Sequence, residues 1–381
     1  TITAGWNTSL PEAENPDTRN GWYNTVNKGI PEVPVPDISK GTLPLPLNID
    51  MGPRSPWAGP LHRGYIQSFN FTIERQLPWD AVGNVAYVGT RTIHQMLDID
   101  INTAGPGTGI NQATINANLP LAKLYGRTNG VSMWDGWATG KYNALQASLN
   151  KSFSKGLLIK AAYTFSKTFN YADDDGWAGV RSFNWLPVLR RAYVPAGYDR
   201  THMFTVGWVY ELPAGKGRKY DMSGIADKVL GGWQISGTFA KYSGTAFTVS
   251  GGNTSLQCAR GCSQTADQIA PVKKIDQERG AGKPYYDPMS FRDPTWQWNK
   301  EEAAAKGSGI YRFGNTGLQI LRGPGYWQLN PAIYKTFKAT ERVSAEFRVE
   351  AFNFTNTPRW SNPNSGSASL RLDPNTGALR T

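Results

Sequence analysis

Leu157-Leu158-Ile159-Lys160-Ala161-Ala162-Tyr163-Thr164-Phe165-Ser166-Lys167-Thr168 is the stretch on which the reading of this chain turns. Leu157, Ile159, Ala161, Tyr163 and Phe165 are interleaved with Lys160, Thr164, Ser166 and Thr168, so an extended backbone shows one apolar and one polar face. Just upstream, Leu145, Ala147, Leu149 and Phe153 alternate with Gln146, Ser148, Asn150 and Ser152. Only Phe153-Ser154-Lys155-Gly156 separates the two runs, which is how a β-hairpin reads. Six further strands are expected at 65–75, 81–91, 202–212, 232–242, 327–337 and 342–352. Each has roughly the length, about 9–11 residues, that a tilted strand needs to cross a bilayer.

The connections alternate in length. Those at 76–80, 154–156 and 338–341 are a few residues long, whereas 92–141, 170–201 and 243–326 run to tens of residues. Short turns at one rim and long loops at the other are the plan of an outer-membrane β-barrel. The connection at 213–231 is a longer member of the short rim, with a helical turn expected around Ile225–Leu230. Along the last strand, Val343, Ala345, Phe347, Val349 and Ala351 form one face and Glu346, Arg348 and Glu350 the other. Three successive charges suit a wet lumen, since facing lipid at the midplane each would cost about 2–4 kcal/mol. Gln146, Asn150, Lys160, Gln234 and Glu346 are assigned to the same lumen face, and Phe153, Phe169, Trp233, Trp327 and Phe337 to interfacial girdles.

Composition agrees with an all-β chain. Of 381 residues, 41 are Gly, 25 Pro, 14 Trp, 17 Tyr and 15 Phe, a mixture that favours strands and turns. No transmembrane helix is expected. The net charge of +11 raises nucleic acid as a partner, yet the basic residues are scattered, Lys216-Gly217-Arg218-Lys219 and Arg190-Arg191 being the tight groups, and no nucleic-acid module surrounds them. Nucleic acid is therefore not an expected partner, and anionic lipid or an anionic ligand is the better use of the excess charge.

Cys258 and Cys262 stand in a long polar loop, and a disulfide of an oxidising compartment is expected of them. His62, His94 and His202 lie elsewhere, so neither a zinc site nor any other metal or cofactor is expected. Residues 1–63, with Pro31-Glu32-Val33-Pro34-Val35-Pro36, read as an irregular Pro-rich segment or long loop, 64–354 as barrel strands and loops, and 355–381 as a loop-like C-terminal segment.

Arg312-Phe313-Gly314-Asn315, Leu321-Arg322-Gly323-Pro324-Gly325, Asn330, Lys335, Phe337, Thr340-Glu341-Arg342 and Arg348-Val349-Glu350-Ala351-Phe352-Asn353 together resemble the C-terminal barrel of Oar-like TonB-dependent receptors. Tyr285-Tyr286-Asp287-Pro288-Met289-Ser290-Phe291, Tyr142-Asn143-Ala144-Leu145-Gln146 and Leu212-Pro213-Ala214-Gly215-Lys216-Gly217-Arg218 are similar to further motifs of that family, and the likeness runs over most of 65–363. The resemblance implies a bacterial outer-membrane location, lipid as a partner, and uptake of a scarce ligand through a barrel of about 22 strands driven by TonB. Neither a TonB box nor a plug is found, so the eight strands read as part of a larger barrel that meets TonB only through parts outside this chain.

Function rests on the loops. Asp173-Asp174-Asp175 with Trp177 and Trp185 has the oxygens and indoles to hold a cation or a sugar, and Trp134, Trp137, Trp296 and Trp298 supply further rings to a ligand-facing rim. Solvated acids and loop packing account for the same residues. Iron chelates, sugars and peptides all remain open as ligands. Catalysis has no signature, since G-x-S-x-G, G-x-x-x-x-G-K-[ST] and H-E-x-x-H are absent. Two alternatives stand beside the receptor: a soluble all-β protein that binds or cleaves carbohydrate, and a self-contained barrel closed by pairing of the strands that begin at Tyr65 and Arg342.

Overall fold

The computed structural model describes residues 39–40, 63–108, 112–173, 185–252, 256, 258, 263–275, 280, 283–292, 294, 311–338, 340 and 342–364. Eight strands form one antiparallel meander: β1 (Tyr65–Leu77), β2 (Ala81–Asp100), β3 (Ser132–Ser154), β4 (Leu157–Asn170), β5 (His202–Glu211), β6 (Trp233–Tyr242), β7 (Tyr326–Lys338) and β8 (Ser344–Glu350). They neighbour one another in sequence order, and the two-residue strand Val194–Pro195 adds to the end of β4. In this path β1 pairs with β2 and β8 with β7, so the sheet is not closed and a self-contained eight-stranded cylinder is ruled out.

The pairing register carries one parity across the whole sheet. Phe71 lies opposite Tyr87, Tyr87 opposite Leu145, Leu145 opposite Phe165, and the next rung in turn joins Tyr163 to Phe204. From there Val206 meets Phe239, Phe239 meets Leu329, and Ile333 meets both Ile235 and Val349. Because side chains alternate with period two, every apolar set falls on a single face. The other face carries Asn70, Thr72, Asn84, Gln146, Ser148, Asn150, Lys160, Thr164, Thr205, Gln234, Thr238 and Glu346, as the sequence pattern requires of a lumen.

Nothing seals the apolar face. Phe71 is 67% exposed, Ile73 62%, and Phe347 and Val349 50% each. A soluble sandwich would bury such a stripe against a second sheet, whereas hydrocarbon covers it here. On the polar face Arg348 bridges Glu346 at 2.8 Å and Glu350 at 3.3 Å, so the three charges of β8 pair within the lumen. Lys335 is a cation on the apolar face that is nevertheless only 4% exposed. Its Nζ donates to the carbonyls of Lys228 at 2.7 Å and Val229 at 3.2 Å, the negative end of the helix Gly224–Leu230, and lies over the Trp233 and Phe337 rings.

The rims follow the expected parity. Lys155 and Gly156 form the β3–β4 turn with φ of 49° and 78°, the positive pair that a two-residue type I′ hairpin requires. The expected helical turn is the helix Gly224–Leu230. At the opposite rim, two strands are longer than their apolar pattern indicates. β2 runs 20 residues and β3 runs 23, so the long connection expected at 92–141 is in large part a hairpin that stands beyond the bilayer and leaves only 101–131 as loop. Register shifts between Thr92 and Gln95 and between Gln95 and Met96 break the alternation where β2 leaves the apolar zone, which is why the extension is invisible to a period-two search.

An arginine at Ile333, on the apolar face, should cost about 2–4 kcal/mol if it sits near the midplane, while one at Ser236, on the lumen face beside it, should cost well under 1 kcal/mol. Urea unfolding of the two variants in lipid vesicles, followed by tryptophan fluorescence and by heat-modifiable mobility on gels, reads the difference.

Candidate functional site

Above the sheet the long connections fold on themselves. Leu97, Ala138, Ala172, Ala192 and Leu318 form one buried cluster, with Trp137, Tyr171, Leu189 and Phe313 packed against it. Phe247, Val249, Ala266, Phe291 and Leu321 form a second, with Tyr286 against it. Among the described residues the buried apolar clusters thus lie at the long rim, in the extended β2–β3 hairpin and the loops packed with it.

Polar anchors tie these loops together. Asp199, 1% exposed in its side chain, accepts from Arg322 at 2.5 Å and from the Thr168 backbone N–H at 2.7 Å, fastening the β6–β7 connection to the end of β4. Asp267, equally buried, takes both guanidinium arms of Arg312 at 2.9 Å and the Asn315 backbone N–H at 3.0 Å. Asn102 is fully buried and satisfied: its amide donates to the carbonyls of Arg127 and Asn129 and its oxygen accepts from the Leu121 N–H. Each is a buried polar group with its partners present, which is the condition for tolerating it.

The Arg312-Phe313-Gly314-Asn315 motif acquires a physical meaning here. Arg312 forks onto Asp267, and Phe313 stacks on Trp185 with the Arg191 guanidinium 5.9 Å from its ring centre. Asn315 accepts from the Gln268 N–H and donates to the Gln268 carbonyl, standing in for a strand neighbour. A side chain on Gly314 would collide with the Thr265 carbonyl, so only glycine fits. Burial pulls the Arg191 pKa down, and its guanidinium is held by the carbonyls of Gly314 at 2.7 Å and Thr316 at 2.9 Å. Burial likewise raises the Tyr286 phenol, whose O–H donates to the Arg322 carbonyl at 2.9 Å.

Beneath this roof a cavity of about 410 Å³ opens on the lumen side of the sheet. Thr90, Tyr142, Ser166, Thr168 and Met203 supply its floor, and Tyr198, Asp199 and Arg200 close it from the β4–β5 loop. Arg200 is itself held, donating to the Ser243 carbonyl at 2.6 Å and lying over the rings of Tyr242 and Tyr326. A neutral polar floor beside two cations, Lys141 and Arg200, and one paired carboxylate can hydrogen-bond a small polar ligand.

The residues singled out from sequence fall in several places. Asp173 receives the Gly197 N–H on both carboxylate oxygens at 3.0 Å and so bridges the two ends of the β4–β5 loop. Trp137 sits in β3 and packs against the first buried cluster, edge-on to Tyr171. Trp134 is a β3 residue opposite Asp98, so both of these indoles belong to a strand and not to a loop as their sequence setting implied. Trp185 packs on Phe313 and Gly105. Cys258 is disulfide-bonded, and Cys262 lies outside the described residues. Asp174, Asp175, Trp177, Trp296 and Trp298 also lie outside them. The cavity residues Tyr198, Asp199 and Arg200 were not anticipated, because their partners stand up to 123 positions away and no local pattern encodes such a pairing.

With one open, lipid-facing sheet and a polar mouth in view, comparison with known proteins places the chain. The outer membrane beta barrel domain family matches residues 3–376, and the chain belongs to it. Its location is the bacterial outer membrane. Among solved structures it is similar to the outer membrane transporter YddB from Escherichia coli, at 8% identity over 81% of this chain and 31% of that one, with a TM-score of 0.40. It is also similar to FpvA of P. aeruginosa, solved with a heterologous pyoverdine and iron, at 10% identity over 77% of this chain and 24% of that one, with a TM-score of 0.35. The chain spans less than a third of either protein. No curated protein matches it.

Replacing Arg322 by Ala strands the buried Asp199 carboxylate and should destabilise the roof by about 3 kcal/mol, less than a fully enclosed pair because Arg322 is partly exposed. Faster amide exchange at 196–201, with the β5–β6 ladder unchanged, is the expected reading. Since burial holds the Tyr286 proton, the roof's stability is full below pH 10 and falls as the pH rises through the raised folded value. Tyr286→Phe should remove that part of the alkaline loss in a pH-resolved melting series.

Proposed function

We propose that this chain is a part of the barrel of a TonB-dependent receptor, whose long-rim loops select a small ligand for uptake by the intact protein. One observation carries the reading: the polar face of the sheet ends in a polar cavity roofed by loops that are packed and pinned, as a selective mouth must be. A passive wall would have no need to fasten its loops with Asp199–Arg322 and Asp267–Arg312. The resemblance of the Arg312–Asn315 and Leu321–Gly325 motifs to Oar-like receptors supports the same family of function. Closing an open eight-stranded sheet requires further strands, in keeping with a large barrel. No catalytic residue is assigned, and the pinned mouth fits recognition of a ligand better than its turnover.

Ligand contacts are assigned to the cavity floor and to Tyr198 and Arg200, with the β3 residues Trp134 and Trp137 and the loop residues Asp173, Asp174, Asp175, Trp177, Trp185, Trp296 and Trp298 kept as candidates for further contacts. An iron chelate, a sugar or a peptide each satisfies this arrangement. The intact receptor, embedded in nanodiscs, should show a melting shift with members of one of these three classes. Met203→Trp, which fills the cavity from the floor, should weaken that ligand at least tenfold without lowering the melting temperature of the unliganded protein. Uptake of the same ligand by cells should stop when the proton gradient is collapsed. A hit that survives Met203→Trp unchanged, or uptake indifferent to the gradient, counts against this reading.

A further inference from the structure

The outer wall carries a recess unrelated to the mouth. Near the short rim, where the β1–β2 and β3–β4 turns stand side by side, an almost wholly apolar groove of about 800 Å³ is lined by Leu77, Trp79, Leu149, Leu157, Ile159 and Tyr210. The register places Leu77, Leu149, Ile159 and Tyr210 on the lipid face. Ala81 contributes only a methyl group to the lining of the recess, where a larger residue of this otherwise bulky wall would fill it. Trp79 stands over its end, 76% exposed, on a turn held at φ 64°.

Two ammonium groups mark the rim end of the same groove. Lys151 donates to the carbonyls of Ser152, Ser154 and Leu157 and to the Ser154 hydroxyl, all neutral oxygens, so its charge is positioned and not neutralised. Lys155 is exposed on the type I′ turn beside it. Among the described residues no carboxylate forms an ion pair with either lysine, the neighbouring Asp80 included. An apolar trough on the hydrocarbon side that ends in two uncompensated cations has the shape and charge of a lipid site: acyl chain in the trough, anionic headgroup on the lysines. Short turns lie on the periplasmic side of such barrels, where the leaflet is phospholipid.

We propose that this groove is a specific site for an acidic phospholipid of the periplasmic leaflet, with the phosphate held by Lys155 in the field of the fixed Lys151 charge, one acyl chain along Leu149 and Ile159, and Trp79 over the glycerol region. The site stands on the membrane placement of the wall and is independent of the uptake reading. Outside the bilayer's own field, each lysine near the surface favours an anionic lipid by about 1 kcal/mol, which is about fivefold in occupancy.

Nanodiscs holding the intact receptor and equal amounts of phosphatidylglycerol and phosphatidylcholine, one of them carrying a photoreactive acyl chain in each experiment, provide the test. Labelling of peptides spanning 77–81 and 149–159 should be at least fivefold greater from phosphatidylglycerol, and labelling around Phe347 and Val349 should not discriminate. Lys155→Gln, a change at an exposed turn, should cut the preference severalfold, and a Lys151→Met/Lys155→Gln pair should abolish it. Ala81→Trp should displace label from both lipids. Equal labelling by the two lipids would reduce the groove to ordinary annulus and overturn the proposal. So would absence of label because another occupant covers it, or a preference that Lys155→Gln leaves intact.

Discussion

Backbone pairing in hydrocarbon is the constraint on which the rest depends. An amide or carbonyl left without a partner there costs several kcal/mol, so strands can enter lipid only as part of a continuous ladder. The ladder in turn fixes parity, since a one-residue slip anywhere would turn apolar residues inward for every strand beyond it. From Phe71 on β1 to Val349 on β8 the parity never slips within the apolar zone. The shifts in β2 and β3 occur past Thr92 at one rim and past Lys151 at the other, where water can satisfy what the ladder gives up. Irregularity is thus confined to depths at which it is cheap.

Charge obeys the same geometry. The Glu346, Arg348 and Glu350 triad lies in the wet bore and pairs internally, so it pays no desolvation toward lipid. Lys335 and Lys151 do point outward, yet each uses a long aliphatic stem to bring its ammonium to carbonyl groups at the short rim. The buried carboxylates, Asp199 and Asp267, sit above the membrane in loops with their own packed clusters, where a guanidinium and backbone N–H groups supply what water would have given. Three environments therefore solve three versions of one problem.

Almost all of the strand framework is legible in the sequence, because a wall with oil on one side and water on the other writes a period of two into it. Lys155-Gly156 and the Ile225–Leu230 turn were legible for the same local reason. What escaped was the part whose logic is tertiary. Trp134 and Trp137 looked like loop residues because the β2–β3 hairpin beyond the bilayer has protein or solvent on both sides and no alternation to read. The two hydrogen bonds that Asp173 takes from the Gly197 N–H were not legible either, because they are made across a loop of 24 positions. The Arg312–Asn315 motif was recognisable by resemblance, but its roles as guanidinium fork, ring stack and strand mimic emerge only when Asp267, Trp185 and Gln268 are brought beside it.

The division between wall and roof also explains why the most distinctive motifs lie where they do. In the wall any apolar residue of suitable size meets lipid equally well, because hydrocarbon adapts to its shape and demands only greasiness. In the roof, Gly314 must clear the Thr265 carbonyl, Gly325 the Tyr242 carbonyl, and Gly197 the Asp173 carboxylate. Neighbours made of protein do not adapt in that way, so identity is specified residue by residue. A chain of this kind is consequently degenerate in its strands and exacting in its loops. Arg312–Asn315 and Leu321–Gly325 are stretches of this second kind, and from the latter Arg322 reaches Asp199 at the cavity.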